Sequence, residues 1–92
     1  MRLIVEFYGL ARHLTGAKET TVEVATNSSL RDVATALGHL YPQLVGPLIE
    51  PQTSSLREPY VFSIDGRSVP TSLDVAVDPG ERLVLMFVPA GG

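Results

Sequence analysis

Cysteine is absent from the 92 residues. That removes disulfides, a thiolate nucleophile and cysteine-ligated metal at once. Lysine is scarce: Lys18 stands alone, and the six arginines are scattered singly through a chain of formal net charge −3. With no basic cluster, nothing can supply the concentrated phosphate contacts of a nucleic-acid binder, and no nucleic-acid partner is expected. No run approaches the roughly 18 apolar residues of a membrane span. The first residues lack the basic region, long apolar run and small-residue cleavage site of a secretory leader. A cytoplasmic protein without a membrane partner is therefore expected. Glycine-rich phosphate loops are missing, so the chain is not expected to hold ATP by itself. His13 and His39 are isolated, with no second ligand at metal spacing, and no metal site is assigned to them. Glu6, Glu19, Glu23, Asp74, Asp78 and Glu81 fall on predicted strands and turns and read as ordinary solubilising charges.

What is present is apolar and periodic. A 45% apolar content in a chain of this length predicts one domain that buries roughly 60% of its unfolded surface without a staple. Leu3, Val5 and Phe7 alternate with Arg2, Glu6 and Tyr8, with Ile4 interrupting the polar side, which predicts a first strand half covered on its second face. Two glycines bracket residues 10–15, read as a long turn holding one helical turn. Thr20, Val22 and Val24 alternate in a second, antiparallel strand. Ser29 and Asp32 have capping-box spacing and start a helix. Its apolar stripe is Leu30, Val33, Ala34, Leu37, Leu40 and Tyr41, and Pro42 ends it. A short helical piece around Leu44, Val45, Leu48 and Ile49 and a polar loop over 51–55 follow. Residues 60–64 form a strand, Asp65-Gly66 is a type I′ turn signal, and a short return strand is expected at 67–69. After the turn at 78–81 the segment 82–88 is apolar on both faces, as a central strand is.

The first and last strands are the most apolar, and the helix lies between them in sequence. They are therefore expected side by side and parallel in the sheet centre. This is an α+β, β-grasp arrangement: a mixed sheet of four to five strands packed on one main helix, over residues 1–88, with 89–92 as a flexible tail.

Several short motifs stand in that order: Phe7-Tyr8-Gly9-Leu10-Ala11-Arg12-His13-Leu14-Thr15-Gly16 after the first strand, Ile64-Asp65-Gly66-Arg67 in the hairpin, Asp78-Pro79-Gly80-Glu81 before the last strand, and Gly91-Gly92 at the end. Together they resemble the ubiquitin-like sulfur-carrier family, closest to its molybdopterin synthase small-subunit and thiamine sulfur-carrier group. Two departures bear on the pathway: Val88-Pro89-Ala90 stands where many molybdopterin-type members carry Pro-Pro, and residues 42–59 are longer than usual.

The resemblance implies a cycle. A ubiquitin-activating-type adenylating enzyme uses ATP and magnesium to adenylate the Gly92 carboxylate. A sulfur donor such as a desulfurase or rhodanese converts it to a thiocarboxylate, and the large subunit of molybdopterin synthase or another acceptor enzyme receives the sulfur. The carrier subunit itself is not expected to be an independent enzyme. Gly92 is then the reacting residue, while Gly91, Ala90 and Pro89 thread the partner's channel, where the missing or small side chains leave room. On the last strand, Leu83, Leu85 and Phe87 share one face and Val84, Met86 and Val88 the other. The resemblance favours Met86, with Val84 and Val88, as the outward docking patch. The competing expectation is that the long middle segment covers that face and makes it core. Three other functions stay open: a carrier for thiamine, cysteine or another sulfur metabolite, a protein modifier conjugated through Gly92, and an interaction module.

Overall fold

The computed structural model of the protein describes residues 1–88. Leu3, Val5 and Phe7 are buried in strand β1 (Arg2–Phe7), and the residues between them turn to the other face. Strand β2 (Glu19–Glu23) pairs antiparallel with β1, with Leu3 opposite Val22. Strands β3 (Tyr60–Ile64) and β4 (Arg82–Phe87) form a second antiparallel pair, with Phe62 opposite Leu85. The two pairs join through β1 and β4, which run parallel with Val5 opposite Leu83 and Phe7 opposite Leu85. The sheet order is β2-β1-β4-β3, so the first and last strands occupy its centre, as their apolar character demands.

Helix α1 (Leu10–Thr15) is longer than the single turn expected from the sequence. The Thr15 hydroxyl donates to the Ala11 carbonyl at 2.8 Å. Gly16 stops the helix at φ 69°, a conformation that costs glycine little, with its N–H on the Arg12 carbonyl at 2.9 Å.

Helix α2 (Leu30–Leu40) begins on the capping box that the sequence marks, with Ser29 and Asp32 bonding reciprocally. Its orphan N–H groups are all satisfied. Leu30 N–H donates to the Val75 carbonyl, Arg31 N–H to Leu73, Asp32 N–H to the Ser29 hydroxyl and Val33 N–H to the Ser29 carbonyl. The segment before β4 thus seals the helix start. Leu30, Val33, Ala34 and Leu37 are fully buried against the sheet. Tyr41, the residue after the helix, meets Phe7 edge-to-face at 5.5 Å and donates from its hydroxyl to Thr20. Leu40 departs from the expected stripe and is 54% exposed. At about 100° per residue it sits some 80° from the line through Leu30 and Leu37, in the last turn, where no strand remains to cover it.

Beyond a 3-10 turn (Pro42–Leu44), the middle segment folds back on itself and contributes Leu44, Leu48 and Ile49 to the core. It is tied to the outside of α2. Arg31 donates to the Thr53 carbonyl at 2.7 Å, to Ser55 Oγ at 2.9 Å and to Asp74 at 2.9 Å, and Thr35 donates to Ser54 Oγ. One guanidinium therefore joins the helix, the middle segment and the loop before β4. Asp65 (φ 54°) and Gly66 (φ 69°) make the expected turn. The return strand at 67–69 does not form: only Ser68 bridges back to Ile64. Pro70 has no N–H to extend the ladder, and Val69 turns to solvent.

Two consequences are measurable by denaturant melts. Leu37→Ala should cost about 3 kcal/mol, as for a buried leucine, whereas Leu40→Ala should cost less than about 0.5 kcal/mol. The Arg31 guanidinium holds the exposed Asp74 carboxyl below its ordinary value of 3.8. Its contribution is therefore full above the ordinary carboxylate range and lost as pH falls through the lowered value. Asp74→Asn should reduce stability at neutral pH, and the difference from the wild type should vanish in strong acid.

Candidate functional site

The end of β4 is held firmly up to the start of the tail. Tyr8 N–H donates to the Leu85 carbonyl at 3.1 Å, and Val88 N–H to the Pro59 carbonyl at 3.0 Å. The parallel register brings the end of β1 and the start of α1 to the same rim of the sheet. Lys18 reaches it too, through the bond from Phe7 N–H to the Lys18 carbonyl at 2.8 Å. Of the tail residues singled out in the sequence, Pro89, Ala90, Gly91 and Gly92 lie outside the described residues.

The sheet has two unlike faces. Leu83 and Leu85 point under α2 and are fully buried. Val84 and Met86 point to the opposite face and are half-buried, and Val88 is 40% exposed. The middle segment packs on α2, on the other side of the sheet, and leaves Val84 and Met86 uncovered by it. Phe87 departs from the expected alternation. Alternation places it with Leu83 and Leu85, yet it is 51% exposed. At the last position of the strand it overhangs the helix's cover and leans on Tyr60, with ring centroids 6.2 Å apart. Val84 and Met86 of the open face, with Phe87 at the strand's end, line a shallow groove of about 560 Å³, bordered also by Tyr8 and by the hairpin residues Arg67 and Val69.

The carboxylates of this face are not free solubilising charges. Arg82 binds Glu6 through Nε and Nη2 and Glu19 through Nη2, at 2.7 to 3.0 Å. The Glu6 carboxylate bonded to it pushes the Arg82 guanidinium up from its ordinary value. Arg2 pairs with Glu23 at the far end of the same face. Sequence reading identified Val84, Met86 and Val88 but missed Tyr8, Val69 and Phe87 as parts of one apolar surface. Tyr8 was read as polar alternation, and Val69 as strand. Among the described residues no group of three His, Asp or Glu side chains stands together for a metal, and no helix is long and apolar enough to cross a membrane.

A model of the ThiS family matches residues 5–92 of this chain. Among solved structures, SAMP1 from Haloferax volcanii is similar over 100% of both chains, with a TM-score of 0.83 and 18% identity. CysO in its complex with BexX from Amycolatopsis orientalis is similar over 98% of this chain and 99% of that one, with a TM-score of 0.73 and 16% identity. A putative molybdopterin converting factor subunit 1 from Pyrococcus furiosus is similar over 91% and 93%, with a TM-score of 0.68 and 17% identity. At these identities the likeness is one of fold, and the fold is the β-grasp. No protein of curated function matches the sequence.

The two faces of β4 should respond oppositely to a buried charge. Met86→Glu should leave a cooperative fold at a cost of about 1 kcal/mol, whereas Leu85→Glu should cost more than about 4 kcal/mol and unfold the domain. Circular dichroism melts of the two variants check this, and equal loss would place Met86 in the core.

Proposed function

The chain belongs to the ThiS family of ubiquitin-like sulfur carriers, and from that membership we propose that it carries sulfur on Gly92 as the small subunit of a molybdopterin synthase. The observation that carries the reading is the placement of β4. The strand that leads to Gly91-Gly92 is one of the two central strands of the sheet, paired on both sides, and its backbone bonds continue to Val88. A four-residue tail follows a rigid body.

The chemistry needs no side chain from this protein. A Gly92 carboxylate oxygen attacks the α-phosphorus of ATP on a ubiquitin-activating-type enzyme, with magnesium assisting, and pyrophosphate leaves. The terminal sulfur of a persulfide on a desulfurase or rhodanese attacks the acyl carbon and AMP leaves; a thiol then cleaves the S–S bond of the resulting acyl disulfide, forming a disulfide with the donor cysteine and releasing the thiocarboxylate. That sulfur then attacks an electrophilic carbon of the acceptor in the large synthase subunit and displaces a leaving group from it, and water cleaves the acyl C–S bond of the resulting thioester, restoring the Gly92 carboxylate and leaving the sulfur on the acceptor. Gly91 and Ala90 keep the tail narrow. Val84, Met86 and Val88 supply the apolar face that meets the partners in turn, a task suited to the adaptable methionine side chain.

The putative molybdopterin converting factor of P. furiosus supports the pathway by analogy of fold, and CysO in complex with BexX supports a carrier that docks on an acceptor enzyme. The long middle segment and the single proline before Ala90 are the sequence features that favour a second reading, a carrier for thiamine, cysteine or another sulfur metabolite. A third, conjugation to protein lysines, is favoured by the likeness to small archaeal modifier protein 1.

Intact mass of the chain isolated from its native cell separates these readings. A mature chain ending on Gly92 with one oxygen replaced by sulfur is expected, and higher-mass conjugates alone would favour a modifier. Deleting Gly92 should abolish sulfur transfer while leaving the melting curve in place. Reconstitution with the large synthase subunit should yield dithiolene product, and transfer only to another acceptor would overturn the pathway.

A further inference from the structure

The middle segment builds a cavity of its own. It measures about 220 Å³ and lies between α2 and the middle segment, on the far side of the sheet from Val84 and Met86. The small residues Ala34 and Gly38 line it from the helix, and Val45, Ile49 and Pro51 make it apolar from the segment. Gly38 is what lets the two elements come this close. A Cβ built there would stand 3.0 Å from Val45 Cγ2, and glycine inside a helix is otherwise disfavoured against alanine. The segment is also tied in place: Arg31 holds the Thr53 carbonyl and Ser55 Oγ, and Thr35 donates to Ser54 Oγ at 2.8 Å. The cavity is therefore formed before anything enters it.

Glu50 brings charge to this lining. Its Oε1 accepts a long bond from Gln52 N–H at 3.4 Å, while Oε2 is buried and has no donor among the described residues. A buried acceptor left unpaired is costly, and folded proteins supply nearly all such groups with a donor. The nearby arginines are engaged elsewhere, Arg31 with Asp74 and Arg57 with the Gly46 carbonyl. His39 lines the cavity too, but Oε2 receives nothing from it.

These features select the occupant. An anion would be repelled by Glu50, and one carboxylate with one imidazole and a hydroxyl is too small an oxygen set for a hard divalent ion. A bare monovalent ion would gain nothing from Val45, Ile49 and Pro51. What matches is a positive head rich in donors on an apolar stem. An ammonium group has three N–H donors and no acceptor, and Ser54 Oγ, which accepts from Thr35, keeps a lone pair for a second of them. The methylenes of the stem then cover the apolar residues.

We propose that the cavity between α2 and the middle segment binds a primary ammonium group carried on a short aliphatic stem, with Glu50 as its counter-ion. The terminal torsion of a glutamate is soft, so either oxygen can turn to the ligand. The site lies on the opposite side of the sheet from the groove at the end of β4 and is independent of the carrier chemistry.

The test titrates the full chain, in about 0.15 M salt to screen exposed charges, with n-butylammonium, its neutral analogue n-butanol and Nα-acetyl-lysine methylamide, followed by amide chemical shifts. Saturating shifts confined to residues around Gly38, Ile49 and Ser54 are expected. n-Butanol should bind at least about tenfold more weakly, since it lacks a hydrogen bond between charged groups. Glu50→Gln keeps the shape and removes the charge. It should weaken n-butylammonium about tenfold and leave n-butanol unchanged, with a melting temperature no lower than that of the wild type. Equal binding of n-butanol and n-butylammonium, or undiminished n-butylammonium binding by Glu50→Gln, overturns the proposal. So do shifts that fail to saturate or that spread over the other carboxylates. Tighter binding of the lysine derivative than of n-butylammonium assigns the ammonium group to a lysine of a partner protein, and equal or weaker binding assigns it to a free amine.

Discussion

The parallel pairing of β1 with β4 is the constraint on which the rest depends. Two strands more than seventy residues apart in sequence lie side by side, and everything between them must leave the sheet and return. A parallel connection requires a crossover, and α2 with the middle segment supplies it on one face only. That asymmetry makes one face of the sheet core and leaves the other open. It also brings the end of β4 to the rim formed by the end of β1, where Tyr8 N–H bonds the Leu85 carbonyl.

The pairing also explains why the open face is half-buried instead of fully polar. A central strand gains by being apolar on both sides, since its backbone is already satisfied by two neighbours. β4 spends this on Val84 and Met86. The surrounding charges are then organised by Arg82, which spans β4, β1 and β2 through Glu6 and Glu19 and fixes the three strands at their outer surface. Exposed pairs of this kind contribute little individually. One guanidinium shared by two carboxylates leaves a net negative charge at this spot, so what the cluster does is tie the three strands together.

Much of this was legible in the residues. The capping box at Ser29 and Asp32, the buried positions Leu30, Val33, Ala34 and Leu37, the positive φ pair at Asp65-Gly66 and the central place of the last strand all follow from local periodicity and turn chemistry, which short windows carry. What was not legible is long-range or terminal. Arg31 and Arg82 look like isolated surface charges because their partners lie 43 and 76 residues away. Leu40 and Phe87 satisfy the pattern of their elements but stand at the ends, where the neighbouring layer stops. The return strand at 67–69 fails because Pro70 removes the next donor, a restraint that composition alone understated.

Two of those departures share a location. Phe87 and Val69 are apolar residues left outside where the pattern asks for burial or for a strand, and together with the outward Tyr8 they border one groove. Scattered exposed hydrophobics need no explanation, but a cluster of them with polar and charged groups around it marks a surface suited to being covered. The β-grasp body answers the demands of stability on the α2 side, where Leu30, Val33, Ala34 and Leu37 keep their period and only Leu40, in the last turn, gives it up. On the opposite side, periodicity is given up at the positions nearest the tail. The division follows from the strand pairing itself: the same parallel junction that protects β4 on its edges leaves its outer face for a partner, directly beside the point where the chain leaves the sheet.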